Sequence, residues 1–378
     1  MKHLEFKAND PKTIIIALIV IVGLIFFFQG GKASPTNATQ TPVVPINKLS
    51  IPEKQGKYPQ AAELSGIAGY INAPQGFKLS DVAGKVILVD FWTYSCINCI
   101  RTQPYLNAWH EKYADKGLVI VGVHTPEFDF EKELANVQEA VVKENIKYPV
   151  VLDNDFSTWT AYKNRYWPRK YLIDADGFIR YDHIGEGAYE ETEAMIQQLL
   201  RERDEKIGLE SEIVAENIPS QTGQDFSQIG TPEIYLGYDF ARAQLGSPQG
   251  FQPNQIVTYS IPPNNEIQPN AVYLEGEWKN NSDSVELVSE TGKVVLLYKA
   301  KALNIVAGNP AELSVRLDEN PLTPENRGED VSILNGKGTV SVEEEKLYNL
   351  VASPNYDPHL IEILVSGKGF QLYTFTFG

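Results

Sequence analysis

Cys96 and Cys99 are the only cysteines in 378 residues, and only Ile97 and Asn98 separate them. A strand-like run, Val86-Ile87-Leu88-Val89-Asp90-Phe91, precedes the pair, and a helix-like stretch follows from Ile100 to about Lys116. A thiolate at a helix N-terminus feels the positive end of the helix dipole and unpaired N–H groups. Its pKa is therefore expected to fall below the free value of roughly 8.5. Thiols at this spacing can open and close a disulfide with little backbone movement. A structural staple is the weaker reading, because so short a loop gains little entropy from closure. A zinc site is weaker still, because no second Cys-x-x-Cys or close histidine pair completes four ligands. The chemistry expected is thiol–disulfide exchange, with no cofactor or metal beyond the cysteine pair.

The elements that must hold this pair alternate between strand and helix. Leu118–Val123 reads as a buried strand, and a helix is expected from about Phe130 to Asn145 with Leu134, Val137 and Val141 on one face. A short strand at Tyr148–Leu152 and a short helix at Ser157–Asn164 come next. Tyr171–Ile173 and Phe178–Tyr181 form a hairpin through Asp174-Ala175-Asp176-Gly177, and an amphipathic helix runs from about Glu190 to Lys206. These units imply a mixed sheet covered on both faces, with the dithiol at the carboxyl end of a central strand.

Residues 13–31 carry no charge, and Ile14 to Phe28 is apolar apart from Gly23. As a helix they reach ~28 Å, close to a hydrocarbon core. Lys2, Lys7 and Lys12 precede them, which places 1–12 in the cytoplasm and the rest of the chain outside. A signal peptide cleaved near Gly31-Lys32-Ala33 is the competing reading; Phe26–Phe28 suit an anchor better. Residues 32–62, rich in Pro, Thr, Asn, Gln and Ser over most of their length, are expected to be a flexible linker. Net charge is −16, from 33 basic and 49 acidic residues, which argues against nucleic acid as a partner.

A second linker is expected at 208–230. Beyond it the texture changes to short strands with turn signals, among them Ala271–Trp278, Val294–Lys301, Glu312–Leu317, His359–Val365 and Phe370–Phe377. That pattern fits an all-β sandwich of jelly-roll type over 231–378. Tyr235, Tyr238, Phe251, Tyr259, Tyr273 and Trp278 are candidates for a platform that stacks a glycan or meets a protein.

Asp90-Phe91-Trp92-Thr93-Tyr94-Ser95-Cys96-Ile97-Asn98-Cys99 resembles the active-site segment of thioredoxin-fold proteins. Pro104 matches their kinking proline, and Trp167-Pro168 matches their cis-proline. Phe130–Tyr166 resembles the insertion of the exported TlpA and ResA kind. Val123–Glu127, His183–Gly187 and the opening and ending of 231–378 resemble the exported portion of DipZ proteins, whose last domain is similar in fold to carbohydrate-binding modules. The resemblance implies a thioredoxin-like domain at 63–207. It implies Cys96 as nucleophile, Cys99 as resolving thiol, Asp90 as proton acceptor for Cys99, Pro168 as a substrate-facing residue and Glu127 as a nearby acid. Trp92, Ile97, Asn98 and Trp167 would surround the site. With the hydrophobic stretch 13–31 as anchor, it implies a membrane-anchored thiol–disulfide oxidoreductase reducing exported proteins or apocytochromes. The single-span architecture, set against the multi-span segment ahead of the thioredoxin unit in DipZ proteins, points to electrons from a separate, CcdA-type membrane protein. The alternative is a surface binding protein whose β domain is the working part and whose dithiol is a redox switch. Ile97-Asn98 replaces the Gly-Pro of ordinary thioredoxin, which leaves the direction of electron flow open.

Overall fold

The computed structural model describes residues 50–213, 216–219, 225–263 and 266–378. The expected anchor 13–31 lies outside them, and among the described residues no helix is long and apolar enough to cross a membrane.

The first domain is a thioredoxin-like α/β fold. Its strands are β1 (Gly69–Ile71), β2 (Val86–Trp92), β3 (Leu118–His124), β4 (Val150–Leu152), β5 (Arg169–Ile173) and β6 (Ile179–Ile184). They form one mixed sheet in the order β1-β4-β3-β2-β5-β6. Strands β2, β3 and β4 run parallel, whereas β1, β5 and β6 pair antiparallel. Every residue of β2 is buried, as its unbroken apolar run requires of a strand covered on both faces. The central helix Ile97–Tyr113 begins inside the Cys-x-x-Cys segment rather than after it, with Cys96 as its N-cap. Leu106, Trp109 and Tyr113 from this helix pack with Ile196, Leu199 and Leu200 of the last helix, Tyr189–Lys206.

Three expectations are corrected here. The distal end of the linker 32–62 belongs to the domain. A short helix, Ile51–Gln55, buries Lys54, whose Nζ lies 2.7 Å from both Asp174 Oδ2 and Asp176 Oδ2 in the hairpin turn. Ala61 N then donates to Gly177 O at 2.9 Å, so the segment is tied down by backbone bonds that composition does not announce. The helix expected over 130–145 splits into a 3-10 turn at Asp129–Lys132 and an α-helix at Leu134–Lys143, and Leu134 is exposed while Val137 and Val141 are buried. Strand β1 was too short to show a period. Within the linker 208–230, Ile213 and Ile218 pack on the domain core.

The second domain is all-β. Thirteen described strands form one antiparallel sheet that curls over a main core, with a smaller cluster around Tyr273 and Val295. The corner is the strand Val272–Asn280. Its first half pairs with Thr291–Lys299 and its second half with Val285–Leu287. Gly276 sits at the bend with φ +105°, a conformation that a side chain would strain. The last strand, Gln371–Phe377, carries a bulge. Its pairing with Ala302–Gly308 slips between Thr374 and Leu372, leaving Tyr373 unmatched. The slip matters because side chains alternate with period two. Leu372, Phe375 and Phe377 all reach the core, while Tyr373 turns out toward the first domain.

Candidate active site

Cys96 caps its helix with φ −81°, and its Sγ accepts from Cys99 N at 3.2 Å. The Cys99 thiol lies 2.7 Å from Cys96 Sγ. Cys96 is half-buried and Cys99 is buried, so only the first can meet a substrate. The structure contradicts the expectation of a lowered Cys96 pKa. Burial pushes the Cys96 thiol up, and the Glu127 and Glu233 carboxylates push the same way. The two hydrogen bonds from Cys99 oppose them without prevailing. The helix N-terminus is present as expected, but a covering domain excludes water from its end. Cys99 is raised far more, by burial first and then by its hydrogen bond to Cys96.

Asp90 lies on β2, and neither of its carboxyl oxygens has a hydrogen-bond partner among the described residues. Burial raises its pKa to about 7, tempered by the Lys170 ammonium. Lys170 faces Asp90 across the β2–β5 pair, is itself almost wholly buried, and donates to Gly185 O at 3.1 Å. The buried lysine is pushed down by desolvation. Asp90 and Cys99 are near enough for their charges to repel, which adds to the rise of the Cys99 thiol.

The Trp167-Pro168 peptide is cis, and Pro168 is buried immediately before β5. Trp167 Nε1 donates to Thr125 O at 2.9 Å, holding that loop beside the dithiol. Trp92 is fully buried, edge-on to His124 at 5.1 Å, and Ile97 and Asn98 are half-buried in the first helical turn. His124 is a packing residue: burial depresses it to about 3, and its ring stacks on Tyr94.

Glu127 is brought to the site and is half-buried, and desolvation raises its pKa to about 8. Its partner comes from the other domain: Tyr235 OH donates to Glu127 Oε1 at 2.6 Å. Nothing in the sequence signalled that pairing across 108 positions. Glu131 was missed for a similar reason. Its carboxylate is buried and accepts from Ser95 Oγ at 2.6 Å, Glu127 N at 2.6 Å and Phe128 N at 3.0 Å, clamping the two loops that flank Cys96.

Of the six aromatics named as a platform, Trp278, Tyr259 and Tyr273 are buried in the β domain, Tyr235 faces Glu127, and Tyr238 and Phe251 are half-buried. The aromatics that do meet a partner are Tyr373 and Phe240. Tyr373 lies 5.1 Å from Phe128 and 5.0 Å from Phe130, and Phe240 lies 6.1 Å from Phe128. This cluster seats the β domain against the loop that follows β3. Arg101, one turn past Cys96, adds a polar tie, with Nη1 3.0 Å from Glu186 Oε1 and Nη2 donating to Phe377 O at 3.4 Å. Cys96 consequently lies in a cavity of 120 Å³ walled by both domains.

Residues 57–200 match the Redoxin family, and residues 231–378 match the family described as Thioredoxin like C-terminal domain. The thiol-disulfide oxidoreductase ResA of Bacillus cereus is 31% identical over 122 residues, which are 32% of this chain and 68% of that protein. The chain belongs to the thioredoxin-like thiol–disulfide oxidoreductases. Among members of this family, protein DipZ of Mycobacterium tuberculosis is 34% identical over 322 residues, 84% of this chain. The chain spans 43% of the length of that relative. A solved structure, a putative thiol:disulfide interchange protein DsbE from Chlorobium tepidum, is 25% identical, with 39% of this chain and 96% of that one covered at a TM-score of 0.33.

Proposed function

We propose that Cys96 attacks a substrate disulfide as thiolate and that Cys99 resolves the mixed disulfide, transferring two electrons to the substrate. Asp90 takes the Cys99 proton as that thiol attacks; an acid near neutrality suits the task. Glu127 holds or yields a proton beside Cys96, and Pro168 with Trp167 forms the wall an incoming disulfide meets. No cofactor enters the cycle beyond the cysteine pair. The observation that carries this reading is the 2.7 Å approach of a buried thiol to a half-buried one at a helix N-terminus, above an unpartnered carboxyl.

The reading extends to place. The uncharged stretch 13–31, preceded by three lysines, anchors the chain with both domains outside the cytoplasm. Exported proteins or apocytochromes are then the macromolecular substrates, and a CcdA-type membrane thiol reductant resupplies electrons. The β domain is read as a jelly-roll relative of carbohydrate-binding modules, with no glycan assigned to it.

Trapping tests the exchange. In a Cys99→Ser chain the resolving sulfur is absent, so incubation with a disulfide should leave a stable adduct on Cys96, visible as added mass and lost on reduction. An unmodified Cys96 under the same conditions contradicts the assignment.

A further inference from the structure

Cys96, Glu127 and Tyr235 line one cavity, and three separate elements bring them there. Cys96 caps the central helix, and Glu127 lies on the loop after β3. Tyr235 comes from the β domain, on a two-residue strand, Ile234–Tyr235, that pairs with the last strand. Glu127 is held at both ends. Its backbone N–H donates to Glu131 Oε2 at 2.6 Å, and the other Glu131 oxygen accepts from Ser95 Oγ at 2.6 Å, next to Cys96. Its carboxyl accepts from Tyr235 OH at 2.6 Å through Oε1, while Oε2 accepts from no described residue. A phenol has one proton to donate, and Glu233 Oε2, at 3.4 Å, competes poorly for it. The phenol has little freedom to point elsewhere. Its ring is 9% exposed and packs with Phe128, Val306 and Tyr373, and the Arg242 guanidinium stands 5.3 Å over it. The short strand is pinned by Leu236 N donating to Tyr373 O at 2.8 Å and Thr374 Oγ1 donating to Ile234 O at 3.0 Å. The apolar cluster already seats the two domains. What the hydroxyl adds is a bond to a carboxylate beside the reactive sulfur.

We propose that Tyr235 is a positioning residue for disulfide exchange: the phenol supplied by the β domain fixes one oxygen of Glu127 and so presents the other to the sulfur chemistry at Cys96. This rests on the reading of Cys96 as the attacking sulfur and of Glu127 as a proton carrier beside it. The Glu127 carboxylate takes the Cys96 proton. The thiolate attacks one sulfur of the substrate disulfide, forming the mixed disulfide, and the departing thiolate takes that proton back from Glu127. Cys99 passes its proton to Asp90, attacks the Cys96 sulfur and releases the second substrate thiolate, which is protonated from solvent; Asp90 returns its proton to solvent. The substrate gains the two electrons the dithiol loses, and an external dithiol reductant restores the pair. Without the phenol, the Glu131 and Glu233 carboxylates still repel Glu127 and Arg242 still attracts it, but among the described residues no other hydrogen bond fixes its carboxyl. A positioned proton carrier contributes about 10²-fold or more, and a loosely held one keeps only part of that.

The test is a double-mutant cycle on the pre-reduced full chain, freed of reductant and mixed in single turnover with insulin, with oxidation of Cys96–Cys99 read by alkylation and mass. Tyr235→Phe keeps the ring in its cluster and removes only the hydroxyl; Glu127→Gln keeps an acceptor for the phenol but cannot take a proton. Tyr235→Phe should slow oxidation by about tenfold, and Glu127→Gln by at least as much. The double variant should be no slower than Glu127→Gln alone, because a residue that acts through another has no effect once the other is disabled. Glu127→Asp asks the same from the other side, should Tyr235→Phe disturb the fold. It keeps the carboxylate but withdraws it by one methylene from the phenol, and it should lose about as much as Tyr235→Phe. A Tyr235→Phe rate within about twofold of the parent, a parent-like Glu127→Asp, or a Tyr235→Phe loss repeated in full on the Glu127→Gln background overturns the positioning role and leaves the exchange reading standing. A parent-like Glu127→Gln rate overturns the proton role of Glu127 and this proposal with it, while Cys96 and Cys99 keep theirs. A parent chain that insulin does not oxidise overturns the exchange reading itself.

Discussion

Replacing Cys96 by serine should reduce disulfide turnover to background, a loss on the order of 10³-fold or more, while the chain stays folded. The effect is this large because an alkoxide is unavailable near neutral pH and the remaining thiol is enclosed. Cys99 is 1% exposed and its pKa is far above the ordinary cysteine range, so it cannot take over the attack. The helix should survive the change, since serine is a good N-cap and can accept from the same Cys99 N–H. Turnover by the purified Cys96→Ser chain is the measurement, with circular dichroism as the control. Activity within about tenfold of the parent would move the chemistry away from this sulfur.

Asp90→Asn should divide stability from activity, with effects that depend on pH in opposite senses. Asp90 titrates at about 7 in the folded chain and near 3.9 when unfolded. Below the lower value both states hold the proton and the group contributes nothing to pH dependence. Between the two values only the folded state holds it, so stability falls as pH rises and levels off above about 7. The whole decline is on the order of 4 kcal/mol at 1.36 kcal/mol per unit. Asparagine has no such decline. Urea unfolding should show the variant gaining on the parent between pH 4 and 8, and parallel curves over that range would contradict the assignment. Resolution by Cys99 should meanwhile slow by about 10² near neutrality, because its proton acceptor is gone. Mixed-disulfide accumulation in the variant is the readout for that half.

The sequence carried much of the first domain and the centre of the site. An unbroken apolar run ending in a Cys-x-x-Cys segment is a local pattern, and so is a hairpin turn closed by Gly177. Local patterns survive folding because the backbone that makes them is short. Asp90 and Pro168 were legible only through family likeness, since neither has a spacing rule that names its neighbour. The β strands were readable from alternation, but their curl was not: it depends on Gly276 taking a positive φ and on one bulge beside Tyr373. The contacts that close the site were beyond reach for the same reason. Tyr235 meets Glu127, and Lys54 meets Asp174, through folding of distant segments with no motif between them. The misplaced pKa expectation follows directly. A helix end and a second domain were visible in the sequence, while the docking of that domain over the helix end was not.

The most direct measurement is the rate of Cys96 carbamidomethylation against pH in the full-length reduced chain, followed by mass. If the β domain encloses the thiol beside Glu127 and Glu233, the midpoint lies above the roughly 8.5 of a free cysteine. A midpoint near 7 or lower would mean an open, helix-activated thiolate and would contradict the enclosed site.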